Sequence, residues 1–335
     1  MVRTLPAVSA LRAGLPDAQI TWLVEPGPSS ILAGQPWIDD VLVFPREELM
    51  TQLRRLRLFA FTGCLLRFLR DLRSRRFELV VDFHSIVKSG FLSRLSGAPR
   101  RVGYARPLGR EGSWLFATDR ARLRLPAPGA KLPRFQRNLG LVRFLGIDAA
   151  EDPQPLRLLP EVEAAMAQTP FEKAPVAIHP GTSDSTPYKR YTVKGYAKVA
   201  REIAKALQVP VIVTVGPARD DRAFAEAIVS ESAGAAVLAP QTASLGDLAA
   251  LFARCRLYIG SDTGPMHVAS LVGTPVLQLL GPTHPIENAP YAGTPSKTVR
   301  VPQPCSPCRR GCEEATCMKA IEPDEVIAAA LELLR

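Results

Sequence analysis

Short apolar runs rich in β-branched residues alternate with stretches of helical periodicity along this chain, and no other feature limits the fold as strongly. In the second half these runs lie at residues 176–179, 211–215, 236–238, 257–260 and 276–280. Segments with the period of an amphipathic helix separate them. Strands that alternate with crossover helices form parallel sheets with helices packed on both faces. The sequence therefore predicts a doubly wound α/β fold.

The same rhythm runs through the first half, but there it begins with a helix. We predict helices at residues 5–13 and 88–95, and strands at residues 20–24, 41–44, 79–82 and 101–103. A parallel α/β domain normally opens with its central strand. The first strand of the N-terminal domain is therefore expected to be missing from this sequence.

The length of 335 residues suits two domains better than one. A proline-rich connector at residues 148–160 marks the predicted boundary. We predict a Rossmann-like N-terminal domain at residues 1–155. A Rossmann-like C-terminal domain follows at residues 156–335 and contains a cysteine-rich loop at residues 305–317.

The balance of charge indicates anionic partners. The chain has 42 Lys and Arg against 32 Asp and Glu, a formal net charge of +10, which attracts phosphates of many kinds. Its apolar runs are far shorter than the roughly 20 residues of a membrane-spanning helix, and its first residues lack the apolar centre of a secretory signal. We predict a cytoplasmic protein. No nucleic-acid-binding motif accompanies the basic residues, so nucleic acid is not an expected partner.

A basic segment in the first half has the period of an amphipathic helix. Eight arginines lie between Gln52 and Glu78, at positions 54, 55, 57, 67, 70, 73, 75 and 76. Apolar residues are interleaved with them at helical spacing: Leu65, Leu66, Phe68, Leu69 and Leu72. Two interpretations stay open, an ordinary solvated helix with a core-facing stripe or a surface that rests on anionic lipid headgroups.

The segment Ser-Asp-Thr-Gly-Pro-Met-His at residues 261–267 directly follows a predicted strand and opens a predicted helix. The start of a helix leaves backbone N–H groups free at the positive end of the helix dipole, so it binds phosphate. Gly264 permits close approach of a ligand to the backbone, and His267 lies about one turn further on. The alternative is that Asp262 or Thr263 only caps the helix.

A second polar segment, Ile-His-Pro-Gly-Thr-Ser at residues 178–183, also follows a predicted strand, and Lys189 comes shortly after it. Ligands of open α/β sheets bind outside the carboxyl ends of the strands. The hydroxyls of Thr182 and Ser183, with the lysine, suit a diphosphate. An ordinary strand-to-loop turn would explain the same residues. The two segments together favour a binding site more than either does alone.

A third segment at residues 215–221 ends in two acidic residues. Asp220 or Asp221 could accept hydrogen bonds from ribose hydroxyls, or could cap the helix that follows. We favour the cap.

The chain resembles glycosyltransferase family 9, the lipopolysaccharide heptosyltransferases, in the order of its motifs. The runs that carry the resemblance are RTLPAVSALRAGLPDAQITWLVEP, ELVVDFHSIVKSGFLSRLSG, AIHPGTSDSTPYKRYTVKGYAKVA, IGSDTGPMHVASLVGTPVLQLLGPTHP and CSPCRRGC. The resemblance implies a GT-B type fold of two facing Rossmann-like domains. It also implies inverting transfer of heptose from ADP-heptose to a lipid A-linked inner-core acceptor at the anionic inner-membrane surface, without a metal or other cofactor.

Site residues follow from the resemblance position by position. It implies that the diphosphate meets a set of residues in the C-terminal domain, with His267 nearby: Thr182, Ser183, Lys189, Asp262, Thr263 and Gly264. Lys189 would also be catalytic, because its charge and the helix start would offset the charge that develops on the leaving ADP.

Two positions depart from the family pattern. Arg219 stands about where the family commonly has a glutamate, which leaves ribose binding open. The family's presumed general base, an aspartate of a Gly-Asp pair that closes the first strand, has no match in this chain, and we take Asp82 as the candidate substitute. The resemblance would place Asp82, His84 and Lys88 near the acceptor or the reacting sugar. A capped helix with a solvated lysine explains the same residues.

Four of the six cysteines lie close together, with the spacing C-x2-C-x3-C-x4-C at Cys305, Cys308, Cys312 and Cys317. Zinc or an iron–sulfur cluster is one interpretation, since disulfides are disfavoured in a cytosolic chain. Similar cysteines occur in many members of the family, which favours a local structural role. Cys64 and Cys255 lie among apolar residues and are expected in the core.

Two alternatives to heptose transfer stay open. The chain could be a nucleotide-sugar-binding homologue whose catalysis is impaired, or a glycosyltransferase that uses another nucleotide-sugar donor. Neither alternative changes the residues expected to bind the diphosphate.

Overall fold

A computed structural model describes residues 1–127, 129–148, 156–168, 171–308 and 311–335. The chain divides into two compact units, the first at Arg3–Gln154 and the second at Pro155–Arg335. The connector predicted at residues 148–160 falls largely on residues 149–155, which lie outside the described ranges.

The first unit contains both helices and strands. Its elements in chain order are α1 (Leu5–Gly14), β1 (Thr21–Val24), β2 (Asp40–Val43), α2 (Arg46–Arg54), α3 (Leu58–Ser74), β3 (Leu79–Val81), α4 (Val87–Leu95), β4 (Arg100–Tyr104), β5 (Asp119–Ala121) and α5 (Arg134–Phe144). The sequence did not predict β5 or α5.

The strands of the first unit form two parallel sheets. One pairs β1 with β2, and the other has the order β3-β4-β5. Within the described residues no ladder joins the two sheets, and a 3-10 turn at Val2–Thr4 and α1 precede β1. The hydrophobic core is likewise divided into small clusters, such as the one that packs Leu11 of α1 against Val142 of α5.

The basic segment forms two helices, so the prediction of a single helix is wrong. α2 ends at Arg54 and α3 begins at Leu58. Leu56, between them, has a left-handed backbone with φ of 55°, which no α-helix can contain. Phe68 and Leu72 of α3 are buried and pack with Leu42. Together with the buried Cys64, they form the core-facing stripe that one interpretation predicted.

The second unit is a single layered α/β structure. Its elements are α6 (Pro160–Ala167), β6 (Val176–His179), α7 (Val193–Leu207), β7 (Val211–Val213), α8 (Asp221–Glu231), β8 (Ala236–Leu238), α9 (Leu245–Ala253), β9 (Leu257–Ser261), α10 (Gly264–Leu271), β10 (Val276–Leu279), β11 (Ser296–Val299), α11 (Thr316–Lys319) and α12 (Pro323–Leu333).

One six-stranded sheet with the order β11-β10-β9-β6-β7-β8 organises the second unit. Every pairing in it is parallel. Four of its strands, β6, β7, β9 and β10, are buried along their whole length, as expected for a sheet covered on both faces. The predicted α/β architecture with parallel sheets is confirmed.

No helix among the described residues is both long and apolar enough to span a lipid bilayer.

Candidate functional site

Two loops of the second unit lie side by side because the strands before them are neighbours. β6 pairs with β9 in parallel, with His179 opposite Gly260. The loop after β6 contains Thr182 and Lys189, and β9 leads directly into Asp262 and the start of α10. The two polar segments that the sequence singled out therefore meet at one edge of the sheet, where ligands of open α/β sheets bind.

Lys189 and Asp262 form the closest contact between these loops. The Lys189 ammonium Nζ lies 3.2 Å from Oδ2 of Asp262 and 3.2 Å from its backbone oxygen. The Ser261 hydroxyl donates to the backbone oxygen of Lys189 over 2.7 Å, so the lysine is fixed at both ends. A cation is thereby held where the two loops meet.

Asp262 is surrounded by groups that favour its charged form. Thr283, in the turn after β10, donates its hydroxyl to Oδ2 over 2.8 Å, and Nε2 of His267 lies 3.6 Å from Oδ1. Burial by itself raises the pKa of this carboxyl, but the interaction with His267 and the charge of Lys189 outweigh it and hold the pKa well below its usual range. Asp262 therefore stays ionised and orients Lys189 and His267.

The start of α10 has no side-chain cap. Thr263 occupies the N-cap position with extended backbone, and its side chain makes no capping hydrogen bond. A Cβ atom added to Gly264 would meet nothing within 4 Å, so a ligand has room to approach the backbone. This geometry fits a phosphate-binding helix start better than a capped one.

Thr182 joins the site through Arg190. Arg190 Nε donates to the Thr182 hydroxyl over 3.2 Å, and its NH2 group donates to Oδ1 of Asp221 over 2.7 Å. Thr182 is buried. Ser183 is exposed. It lies on the same loop as Thr182, but its hydroxyl contacts Ser185 and Thr186 of that loop.

Asp221 is a buried structural acid. Its exposure is 2%, and its Oδ2 accepts a hydrogen bond from the backbone N–H of Ala218 over 3.1 Å. Oδ2 would also lie 2.9 Å from a Cβ added to Gly181, so the carboxylate touches the loop after β6. The predicted cap is wrong, because α8 has Asp220 at its N-cap with no side-chain capping hydrogen bond, and Asp221 instead holds the turn before the helix and Arg190. No local pattern in the sequence indicated that Asp221 pairs with Arg190.

His179 is held neutral at the end of β6. Its ring is buried, and Nδ1 lies 2.8 Å from the Thr214 hydroxyl. Burial lowers the pKa of His179 to about 4. Because the folded pKa is lower than the unfolded value of about 6.5, the unfolded chain binds more protons between these values. The contribution of neutral His179 to stability is therefore fully present above about pH 6.5. It is lost as the pH falls toward 4.

As the pH falls from 7 to 5, we expect His179 to lower the free energy of unfolding by roughly 2 kcal/mol. The measurement is hydrogen exchange of the β6 and β9 amides at both pH values, in the wild type and in His179→Gln. Glutamine does not titrate but can bond the Thr214 hydroxyl, so the difference between pH values should shrink in the variant. An equal pH dependence in both proteins would rule out His179 as its source.

The cysteine-rich loop packs against the turns that carry the site. A Cβ on Gly281 would lie 2.7 Å from Sγ of Cys317, and a Cβ on Gly311 would meet the Tyr188 ring at 2.3 Å. The backbone N–H of Cys308 donates to the carbonyl of Pro282 over 2.6 Å. Through these contacts the loop supports the turns that bear Lys189 and Thr283.

These contacts favour the structural interpretation of the cysteines. In the part of the chain described, no group of three or more Cys, His, Asp or Glu side chains is arranged to hold a metal ion. Cys305 and Cys312 are exposed, whereas Cys317 is buried. Burial, together with the nearby Cys312, raises the pKa of the Cys317 thiol.

The first unit contains the other predicted site residues. Asp82 follows β3, and its Oδ1 accepts hydrogen bonds from the backbone N–H groups of His84 and Ser85, over 3.1 and 2.9 Å. The Ser89 hydroxyl donates to Oδ2 over 2.9 Å. Asp82 therefore shapes the turn into α4. Burial raises its pKa and outweighs these hydrogen bonds, which increases its readiness to take a proton.

Positive charge gathers beside this turn. Burial first, and then neighbouring positive charges that include Arg110 and Lys88, lower the pKa of His84. Lys88 pairs with Glu25 over 2.6 Å and lies above the Phe44 ring. The lysine is thus oriented by contacts rather than only solvated. A phosphorylated ligand would find several cationic groups at this edge of the first unit.

A lysine ammonium and an uncapped helix start lie side by side beyond the ends of parallel strands, an arrangement typical of α/β proteins that bind phosphate groups. The sequence profile of glycosyltransferase family 9 (heptosyltransferase) matches residues 65–318, more than half of the chain. The chain belongs to this family and is a glycosyltransferase.

Curated relatives extend over most of the chain. It is 24% identical over 296 residues to the lipopolysaccharide core heptosyltransferase OpsX of Haemophilus influenzae, with 86% of this chain and 77% of the relative covered. It is 28% identical over 316 residues to lipopolysaccharide heptosyltransferase 1 of Pseudomonas aeruginosa, with 92% and 82% covered. These relatives indicate heptose transfer in lipopolysaccharide synthesis at the level of the family.

Solved structures show the same fold. The family 9 glycosyl transferase of Veillonella parvula matches with a TM-score of 0.81 at 21% identity, covering 99% of this chain and 93% of that one. The E. coli heptosyltransferase WaaC with ADP-2-deoxy-2-fluoro heptose matches with a TM-score of 0.75 at 18% identity, covering 99% and 95%. The GT-B fold expected from the sequence is confirmed.

Proposed function

We propose that this protein is an inverting glycosyltransferase that moves heptose from ADP-heptose to the inner core of lipopolysaccharide. The observation that supports the donor half of this proposal is the position of Lys189, 3.2 Å from Asp262 and beside the uncapped start of α10. An ammonium group and exposed amides in one place suit a nucleoside diphosphate. The relatives named above support the sugar and the acceptor.

The donor diphosphate would occupy the edge formed by the loops after β6 and β9. Lys189, the N–H groups at Thr263 and Gly264, and the Thr182 and Ser183 hydroxyls would contact its phosphates, with His267 nearby. In the reaction the acceptor oxygen forms a bond to the anomeric carbon as the bond from that carbon to the phosphate oxygen breaks. Negative charge then develops on the departing ADP, and Lys189 and the helix start stabilise it.

The donor is identified by titrating the protein with ADP, UDP, GDP and CMP in a calorimeter. We expect ADP to bind at least about tenfold more tightly than the others, a difference of roughly 1.4 kcal/mol. If another nucleotide bound more tightly, the donor would be a sugar linked to that nucleotide, and the proposed binding site would be unchanged. ADP binding without release of ADP from ADP-heptose in the presence of acceptor would favour an impaired homologue.

The acceptor would meet the first unit, where the turn into α4 gathers positive charge. His84 and Lys88 lie there with Arg110 nearby, and the proposed acceptor carries phosphates. We propose that Asp82 accepts the proton of the attacking hydroxyl, since burial raises its pKa. The lipid portion of the acceptor places this reaction at the anionic cytoplasmic surface of the inner membrane.

Asp82→Asn tests the proton acceptor with little change in shape. The amide can keep the hydrogen bonds from His84 and Ser85 and can donate to Ser89, but it cannot take a proton at this pH. We expect kcat to fall by about 100-fold or more, with ADP affinity and melting temperature unchanged. Ser89→Ala, which removes one of the hydrogen bonds to Asp82, is the matched control and should lower kcat far less. A kcat for Asp82→Asn within threefold of the wild type would limit Asp82 to shaping the turn.

A further inference from the structure

The corner between α2 and α3, residues 53–60, is exposed at every position. Its sequence is Leu-Arg-Arg-Leu-Arg-Leu-Phe-Ala. The large apolar side chains are not shielded, because Leu56 is 81% exposed, Leu58 61% and Phe59 97%. Single exposed apolar residues are common on proteins, whereas a continuous exposed group marks an interaction surface.

This group is separate from the core-facing stripe of α3. That stripe consists of Cys64, Phe68 and Leu72, which are buried. Leu58 and Phe59 lie in the first turn of the same helix but remain exposed. The apolar residues of the corner are therefore not part of the hydrophobic core of the first unit.

Backbone hydrogen bonds hold the corner in one shape. The N–H of Leu56 donates to the carbonyl of Leu53 over 3.0 Å, and that of Arg57 donates to the carbonyl of Gln52 over 2.9 Å. Leu56 has a φ of 55°, a conformation that non-glycine residues rarely adopt and that is commonly kept where it serves a function. The bend directs α2 and α3 away from a tip formed by Leu56, Arg57 and Leu58.

The charge of the corner is positive throughout. Arg54, Arg55 and Arg57 interrupt the apolar residues, and the sequence contains no acidic residue between Glu48 and Asp71. Among the residues that the structure describes, none of these three guanidinium groups forms an ion pair with a carboxylate. Three cations and three large apolar side chains thus face solvent together.

We propose that the corner docks on an anionic lipid bilayer, with Leu56, Leu58 and Phe59 inserted among the acyl chains and Arg54, Arg55 and Arg57 on the headgroup phosphates. Interfacial protein segments combine these two kinds of residue, because apolar burial and attraction to anionic lipid add to each other. A second copy of the chain is a poorer occupant, since a symmetric contact would bring the same arginines together.

The inference extends the proposed function, because a lipid-linked acceptor lies in a membrane, but its test uses lipid alone. The purified protein is sedimented with sucrose-loaded vesicles of phosphatidylcholine, with and without an equal share of phosphatidylglycerol. We expect sedimentation with the anionic vesicles, weaker sedimentation with neutral ones, and partial release by added salt. Vesicle binding with no sugar transfer would leave the corner supported and contradict only the enzymatic proposal.

The apolar contribution is tested with the triple variant Leu56→Ser, Leu58→Ser, Phe59→Ser. We expect its partition onto anionic vesicles to fall by about tenfold or more. The matched control is Leu115→Ser, which changes another apolar residue of the first unit that is 69% exposed and should bind as the wild type does. Melting temperature and ADP affinity, measured in both variants, show whether the fold is intact.

Three results would overturn the proposal. The first is failure of the wild type to sediment with anionic vesicles, and the second is sedimentation of the triple variant to the same extent as the wild type. The third is a wild type that is dimeric in analytical ultracentrifugation without lipid and becomes monomeric in the triple variant. That result would show that the corner is a contact between two copies of the chain.

Discussion

Lys189→Met is expected to lower kcat for sugar transfer by about 100- to 1,000-fold. Methionine has nearly the length of lysine but removes the positive charge that, in the proposed reaction, offsets the charge on the departing diphosphate. Asp262 keeps its contacts with Thr283 and His267, so the loops should stay in place. Steady-state kinetics and calorimetry with ADP measure the effect on turnover and on binding.

Lys198→Met provides the control for Lys189→Met. Lys198 belongs to the same unit, lies in the second turn of α7 and forms an exposed ion pair with Asp324 over 2.8 Å. The same chemical change there should leave kcat within a factor of about two, because an exposed pair contributes little. Equal kinetics in the two variants, or a kcat for Lys189→Met within tenfold of the wild type, would remove Lys189 from the catalytic machinery.

Asp221→Ala is expected to destabilise the second unit by about 3–5 kcal/mol, because it leaves the Arg190 guanidinium without its buried partner. The Arg190–Asp221 pair has a distance of 2.7 Å, with side-chain exposures of 15% and 2%. The truncation also removes the acceptor for the Ala218 N–H. All three tryptophans, at positions 22, 37 and 114, lie in the first unit, so hydrogen exchange of the β6 and β9 amides is the suitable measurement.

Asp324→Ala is the matched control for Asp221→Ala, since it breaks an exposed ion pair in the same unit and should cost less than about 1 kcal/mol. Arg190→Leu combined with Asp221→Ala should cost less than the sum of the single changes, because neither charge is then left alone. Additive costs, or unchanged exchange in Asp221→Ala, would show that the buried pair does not hold these loops together.

The sequence was sufficient to predict most of the second unit. Its strands are continuous apolar runs because both faces of the sheet are covered, and such runs are readily recognised. The predicted strand at residues 257–260 corresponds to β9, which ends at Ser261. α7 begins at Val193, because Thr192 caps it through a hydrogen bond from the N–H of Gly195.

The contacts within the candidate site were harder to predict. Lys189 and Asp262 are 73 residues apart in sequence, and only the pairing of β6 with β9 brings them together. The roles of Arg190 and Thr283 also depend on this pairing. The position of Thr283 after a Gly-Pro turn was a visible signal, but nothing local indicated that its hydroxyl reaches Asp262.

The first unit departs most from the sequence predictions. The bend between α2 and α3 contains neither glycine nor proline, the residues that usually signal a break in a helix. Helical periodicity continues across it, so the segment looked like one helix. The exposed corner could not be foreseen for the same reason, because Leu58 and Phe59 fit the apolar pattern of a longer helix.

The pairing of Lys189 with Asp262 affects how strongly the site attracts an anionic ligand from a distance. The ammonium has a carboxylate counterion within the protein, so the pair contributes almost no net charge at a distance. Long-range attraction of the diphosphate must then come from the helix start and from more distant basic residues. At close range the site would favour a ligand whose negative charge is strong enough to displace part of this internal pairing.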